Sequence, residues 1–191
     1  AGALRAELTR SGCRFNGTSD TEILLQAILR WGIPAALDRI HGQFSFVWFD
    51  AVRRRLYLAR DRVGIRPLYY AVSGERLAVA SEQKALLLLD WVDRTPVAEG
   101  MLRYLILGRT DDVPGEALLA GIRSLPAGHW AEWDGRMLST RSYYRVDTRA
   151  PAASALDVRK ELDRAVAEQL VGDVPLGAMV SGGIDSSAVV L

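Results

Sequence analysis

Two periodicities divide the chain. Ile23, Leu24, Ala27, Ile28 and Trp31 recur at helical spacing behind Ser19-Asp20-Thr21-Glu22, whose spacing is that of a capping box. They predict a helix that stops at Gly32. From Gln43 onward the period shortens to that of strands, with runs at 44–49, 56–59, 68–72 and 77–80 separated by turns at 50–55 and 73–74. This pattern predicts an antiparallel meander. Ser81 is expected to cap a short helix through Leu89, and Thr95-Pro96 to open another that reaches Gly108. Runs at 128–133 and 137–144 flank Asp134-Gly135, a strong hairpin signal.

The pattern then changes class. Residues 147–155, rich in alanine with Pro151, read as a linker. Leu156, Leu162, Ala165, Val166, Gln169 and Leu170 punctuate a long amphipathic helix whose outer face carries Arg159, Lys160, Glu161, Asp163 and Arg164. Through Gly172-Asp173 the chain enters an apolar run at 174–180, expected to be a buried strand, and then Ser-Gly-Gly-Ile-Asp-Ser-Ser at 181–187. Strands followed by helix, strand and helix predict two domains of different class: 1–146, then the linker 147–155, then 156–191.

The 181–187 segment is the clearest chemical signal. A turn between strand and helix aims free backbone N–H groups at one point, where the helix dipole also favours negative charge. Gly182 and Gly183 let a ligand approach the backbone, and Ser181, Ser186 and Ser187 add hydroxyl donors. Asp185 beside a phosphate makes sense once a metal is added, because a carboxylate can hold Mg²⁺ that bridges phosphate oxygens. The implied ligand is Mg-nucleotide. A P-loop would need a lysine after its second glycine, which this segment does not have. The segment resembles the pyrophosphate loop of the ATP pyrophosphatase superfamily.

Composition narrows the rest. With 49% hydrophobic residues and a quarter charged, the 191-residue chain can bury a normal core. A formal net charge of +1 gives no electrostatic case for nucleic acid, and Arg53-Arg54-Arg55 falls where a solvated turn is expected. One cysteine cannot form an internal disulfide, and neither a signal peptide nor an apolar span of about 20 residues is visible. No membrane partner is expected and the cytoplasm is the default location. His41 and His129 each sit beside a glycine at a strand edge, which favours turn roles over a catalytic base or a zinc site. Cys13 is expected to be a partly buried core thiol.

A second set of motifs precedes the loop. Phe15-Asn16-Gly17-Thr18-Ser19-Asp20-Thr21-Glu22, His41-Gly42-Gln43-Phe44-Ser45-Phe46, residues 59–70 (Ala-Arg-Asp-Arg-Val-Gly-Ile-Arg-Pro-Leu-Tyr-Tyr), 80–86 (Ala-Ser-Glu-Gln-Lys-Ala-Leu) and 125–129 (Leu-Pro-Ala-Gly-His) occur in that order. Together with the 181–187 loop they resemble glutamine-dependent asparagine synthetases along the whole chain. The resemblance implies a fold that is α+β then α/β: a partial Ntn-hydrolase αββα sandwich of the class II glutamine amidotransferases, followed by the start of a Rossmann-like ATP pyrophosphatase domain. It implies a carbon–nitrogen ligase that hydrolyses glutamine, passes the ammonia inward and converts aspartate to asparagine through β-aspartyl-AMP, with ATP and Mg²⁺, releasing AMP and pyrophosphate.

Carried over residue by residue, Asp20 matches the acid that holds the α-amino group of glutamine, a charge-assisted contact. Without the resemblance it reads as a first-turn acid favoured by the helix dipole. Ser181, Gly182, Gly183, Asp185, Ser186 and Ser187 match the loop around the ATP phosphates, with Asp185 toward the metal. Met179 matches an apolar position whose backbone meets the adenine; ordinary strand core is its other reading. Arg60, Asp61, Arg62 and Arg66 read as an ion-paired strand end and receive no catalytic role.

The match also has breaks. The family's nucleophile is an N-terminal cysteine whose own α-amino group can act as base. Ala1 offers none and Cys13 is internal, so no catalytic residue is assigned. The chain is expected to be an internal fragment, inactive alone, of an enzyme acting on glutamine, aspartate and ATP. A homodimer is among the open options for its assembly. The alternative is an amide-forming relative such as a β-lactam synthetase or lasso-peptide cyclase. GMP and NAD synthetases share the loop but not the motifs before it. A non-catalytic interaction module would be expected to have a decayed loop, whereas this one is intact.

Overall fold

A computed structural model describes residues 2–108, 113–149, 154–170 and 175–190. The chain divides into two compact units, Ala1–Arg145 and Val146–Leu191.

The first unit has four layers, and the alternation of its strands explains why. β1 (Ser45–Asp50), β2 (Arg55–Arg60), β6 (His129–Trp133) and β7 (Leu138–Ser142) form one antiparallel sheet in the order β1-β2-β6-β7. β3 (Tyr69–Ser73), β4 (Arg76–Ala80) and β5 (Arg123–Ser124) form a second, ordered β4-β3-β5. Along β2, Leu56 and Leu58 face the second sheet, meeting Leu68, Tyr70, Leu77, Val79 and Leu125. Tyr57 and Ala59, one residue out of phase, face the other way with Phe46, Trp48 and Trp130. That outer face is covered by α1 (Gly2–Arg10) and α2 (Asp20–Arg39), through Leu8, Ile23, Ala27, Ile28 and Leu37. On the far side, Ala71 of the second sheet packs with Leu86 of α3 (Gln83–Leu86), Val92, Ala117 and Ile122. The layers run helix, sheet, sheet, helix: the αββα sandwich.

The sheets do not make the single meander expected from the strand runs. β1-β2 and β3-β4 pair as hairpins, but β2 turns to β6 and β3 to β5. Residues 61–67 carry the chain from one sheet to the other, and Asp61 fixes that crossing. Fully buried, it accepts N–H bonds from Phe44, Val63, Ile65 and Arg66. Arg60, also buried, donates to the carbonyls of Gly64, Arg66 and Leu125 and to the Ser124 hydroxyl. The expected ion-paired strand end is therefore a seam in which Asp61 serves backbone donors, since buried N–H groups without partners would be costly. The Tyr143 hydroxyl donates to the Arg60 carbonyl, and burial pushes its pKa up to about 12. Gly128 is required here: its φ is +65°, and a Cβ would lie 2.8 Å from the Tyr144 carbonyl oxygen.

Several helix ends differ from expectation. α2 does not stop at Gly32; it kinks there, with φ 78° and ψ 166°, and resumes to Arg39. Pro34 falls in the first turn after the kink, where its missing N–H breaks no helical bond. Ser81 does not cap α3, which starts at Gln83 after Glu82 and is a single turn; residues 87–88 continue as turn. Thr95-Pro96 does not open the next helix either. Pro96 bridges Leu119, and α4 (Ala98–Leu107) begins after Val97 and ends on Gly108 in the left-handed region. The 134–135 hairpin forms as expected, with Asp134 accepting from the N–H groups of Arg136 and Met137. The 53–55 cluster lies at the β1–β2 turn, where Arg54 takes φ 51°.

In the second unit, α5 (Ala155–Gln169) starts from a full capping box of Ser154 and Asp157. α6 (Ile184–Val190) follows the 181–183 turn. Residues 175–180 are exposed and form no strand, and Val174 lies outside the described residues. The expected buried strand is thus absent from 175–180: a strand needs a neighbour for its N–H and C=O groups, and the described residues provide none. No described helix is long and apolar enough to cross a membrane.

Candidate functional site

Two places carry the candidate residues, one in each unit. The first is the turn into α2. Ser19 is the N-cap, its Oγ accepting from the Thr21 N–H at 3.2 Å. Glu22 does not close the expected capping box back to Ser19. Its carboxylate reaches further, accepting from the Asn16 N–H at 2.8 Å and the Gly17 N–H at 2.9 Å. These bonds, Asn16 foremost, hold the Glu22 carboxyl below its ordinary pKa, with Arg5 adding a smaller attraction. Arg5 of α1 lies over the Phe15 ring, 4.4 Å from its centroid, and donates to the Gly17 carbonyl. The turn is held from both sides.

Asp20 and Glu22 are the two acids of this first helical turn, and they differ in occupancy. Both Glu22 oxygens are engaged by the 16–17 backbone. Asp20 is exposed, and its side chain makes no hydrogen bond or ion pair with any described residue. Its carboxylate is the one available to a cationic group.

The second place is the 181–187 turn. Gly182 adopts φ 80°, and a Cβ there would meet nothing within 4 Å, so the turn leaves space beside its backbone. The Ser181 and Ser186 hydroxyls lie 3.0 Å apart, the Ser186 hydroxyl donates to the Gly183 carbonyl, and the Gly183 N–H donates to Ser181 Oγ at 3.4 Å. The Ser187 N–H closes the first helical bond onto Gly183. The N–H groups of Ile184, Asp185 and Ser186, in the first turn of α6, have no intrahelical acceptor. Three hydroxyls and these N–H groups form a donor set suited to phosphate oxygens.

Asp185 is exposed and its side chain pairs with no described residue, and no group of three or more His, Cys, Asp or Glu among the described residues could hold a metal alone. A lone carboxylate fits magnesium, which takes one or two protein carboxylates and completes its shell with phosphate and water. An open groove of about 600 Å³ adjoins the turn, lined by Val158, Leu162, Gly182, Gly183, Ile184 and Ser187. Ser181, Gly183, Ser186 and Ser187 are thus joined by contacts, with Gly182 and Asp185 within the same turn. Met179 is fully exposed and joins none of them.

The other residues take supporting positions. His41 Nδ1 is 2.9 Å from an Arg62 guanidinium nitrogen, and His129 Nδ1 is 2.7 Å from the Ala127 carbonyl. Cys13 is half-buried against the α1–α2 core. Arg5 and the reach of Glu22 past the cap were not foreseen from sequence; the signal available was an acid at the third helical position, which ordinarily marks a capping box.

Comparison with known proteins decides the family. The family model described as glutamine amidotransferase domain matches residues 2–144. The chain belongs to that family. A second model, asparagine synthase, matches residues 157–191. Among curated relatives, asparagine synthetase [glutamine-hydrolyzing] 3 of Bacillus subtilis is 36% identical over 194 residues, covering 97% of this chain and 31% of the relative. Asparagine synthetase B [glutamine-hydrolyzing] of Escherichia coli is 33% identical, over 98% of this chain and 29% of the relative. Amidase chyE of Penicillium rubens is 32% identical, over 92% and 26%. The chain spans about a third or less of the length of these relatives. Among solved structures, the glutamine phosphoribosylpyrophosphate amidotransferase of B. subtilis, complexed with ADP and GMP, has a TM-score of 0.52 at 19% identity. It covers all of this chain and 40% of that one, a likeness of fold.

Proposed function

We propose that this chain is part of a glutamine-dependent asparagine synthetase. One observation carries the reading: a glutamine amidotransferase match and an asparagine synthase match stand in that order on a single chain. In this reading the first unit binds glutamine, with Asp20 taking its α-ammonium group by a charge-assisted hydrogen bond. The 181–187 turn receives the phosphates of ATP through Ser181, Ser186, Ser187 and the first N–H groups of α6. Met179 contributes its backbone toward the adenine, a role that does not require its side chain to be buried.

Mg²⁺, when bound, neutralises phosphate charge, and Asp185 is the residue that would hold it. The turn's donors stabilise the negative charge that develops as pyrophosphate leaves and aspartate becomes an acyl adenylate. Ammonia released from glutamine then displaces AMP to give asparagine. The proposed location is the cytoplasm.

The test uses the full-length protein with amide-¹⁵N glutamine, aspartate, ATP and Mg²⁺. The expected products are ¹⁵N-labelled asparagine, glutamate, AMP and pyrophosphate in equal amounts. Release of ADP in place of AMP, or no label in asparagine, overturns the proposal. A second reading has the two fungal relatives named amidases in its favour, each 32% identical over 92% of this chain. There the activated carboxylate belongs to an acceptor other than aspartate, and aspartate would not support pyrophosphate release in the same assay.

A further inference from the structure

We propose that Glu22 is a positioning residue for glutamine: by clamping the 16–17 backbone it fixes the turn that presents Asp20, and so sets glutamine affinity without touching the substrate. The inference rests on the reading of Asp20 as the group that takes the α-ammonium.

Three observations carry it. Glu22 spends each carboxylate oxygen on a different backbone N–H, at 2.8 and 2.9 Å, five and six residues upstream of itself. This bidentate grip spans Asp20 and locks the chain on both sides of it. Arg5, from a separate helix, holds the carbonyl of the same Gly17 whose N–H Glu22 takes, so the turn is referenced to α1 as well as to α2. The Asp20 side chain has no partner among the described residues to fix its direction, so its placement depends on the backbone beneath it. A carboxylate aimed at an ammonium group loses binding quickly when the backbone carrying it shifts.

A charge argument points the same way. Two carboxylates in one helical turn would compete for a single cation. The N–H bonds to Glu22 disperse its charge and keep it ionised and occupied, which leaves Asp20 as the acceptor for substrate.

The experiment measures glutamine-dependent asparagine synthesis by the full-length protein and its Asp20→Asn, Glu22→Gln and doubly substituted forms, with the ammonia-dependent rate measured beside it. Glu22→Gln keeps the size of the side chain but turns one of its two acceptors into a donor facing a donor. It is expected to raise KM for glutamine about tenfold with little change in kcat, lowering the ratio of glutamine-driven to ammonia-driven synthesis at low glutamine. The double variant is expected to match Asp20→Asn alone, because the clamp has nothing left to position. Arg5→Met, which removes the second hold on Gly17, is expected to give a smaller rise in KM of the same kind.

If Asp20→Asn leaves KM for glutamine unchanged, the reading of Asp20 fails. If Asp20→Asn raises KM but Glu22→Gln does not, the positioning role fails while that reading stands. Effects that multiply in the double variant, or a Glu22→Gln loss shared equally by the ammonia-driven rate, would show a merely structural role and overturn the proposal.

Discussion

The two units hold their candidate residues by opposite means. Asp20 stands on a helix whose inner face is buried in a core with Leu8, Ile28, Leu37 and Trp130. The turn before it is tied to α1 and to Glu22. The 181–187 turn has no such support among the described residues. α5 and α6 contain no buried residue, and Leu156, Leu162, Leu170, Ile184 and Val190 are exposed. What shapes the turn is local: hydroxyl contacts among Ser181, Gly183 and Ser186, and the positive φ of Gly182. The 181–187 turn is shaped within seven consecutive residues, whereas the turn that carries Asp20 rests on a packed scaffold.

Breaking the scaffold should therefore matter far more in the first unit. Asp61→Ala would strand four backbone N–H groups in a buried seam and is expected to cost about 4 kcal/mol or more in urea unfolding of the 191-residue chain. An unchanged midpoint would mean that the seam is not holding the sheets in register. Leu37→Ala, at a fully buried position, should cost about 3 kcal/mol, while Leu162→Ala on α5 should cost under about 1 kcal/mol. Similar losses at the two leucines would erase the contrast between the units. Ser154→Ala removes the capping box of α5, with an expected loss of about 1 kcal/mol, read as faster hydrogen exchange in the first turn of α5 alone.

The smallest effect is a titration. Backbone bonds to Asn16 and Gly17 lower the Glu22 pKa from 4.5, and bonds from Arg53 lower that of Asp50 from 3.8. Because both folded values lie below the unfolded ones, their contribution to stability is complete above the unfolded values and is lost as pH falls through the folded ones. Carboxyl NMR shifts should give midpoints below 4.5 and 3.8, respectively.

Sequence legibility follows the same division. The hairpins were readable because Asp134-Gly135 is a local signal and β2 is a short apolar run, 56–59, bounded by turn residues. The sheet assignment was not: which strand neighbours β2 is decided by the crossing at 61–67, whose logic is the buried acceptor Asp61, and a charged run read alone looks like surface. α1 went unforeseen because its core contact rests on Leu8, fully buried, and Leu4, partly buried beside it, too few positions to mark a period. The kink at Gly32 was readable as a stop but not as a joint, since resumption depends on Ala36 and Leu37 finding the core. The residues of the 181–187 turn were legible as a motif. The strand expected before them was not realised at 175–180, because strand formation is a property of pairs. At the first turn of α2 the acid Asp20 was legible, while the hold of Glu22 on the 16–17 backbone was hidden within a capping pattern and that of Arg5 had no sequence signal.

The most direct test is to supply the full-length protein with either glutamine or ammonia and compare Asp20→Asn with Asp185→Asn. Two separable sites predict that Asp20→Asn loses glutamine-driven asparagine synthesis and keeps the ammonia-driven reaction, while Asp185→Asn loses both. Loss of both reactions in Asp20→Asn, or full activity in Asp185→Asn, would contradict that division of labour.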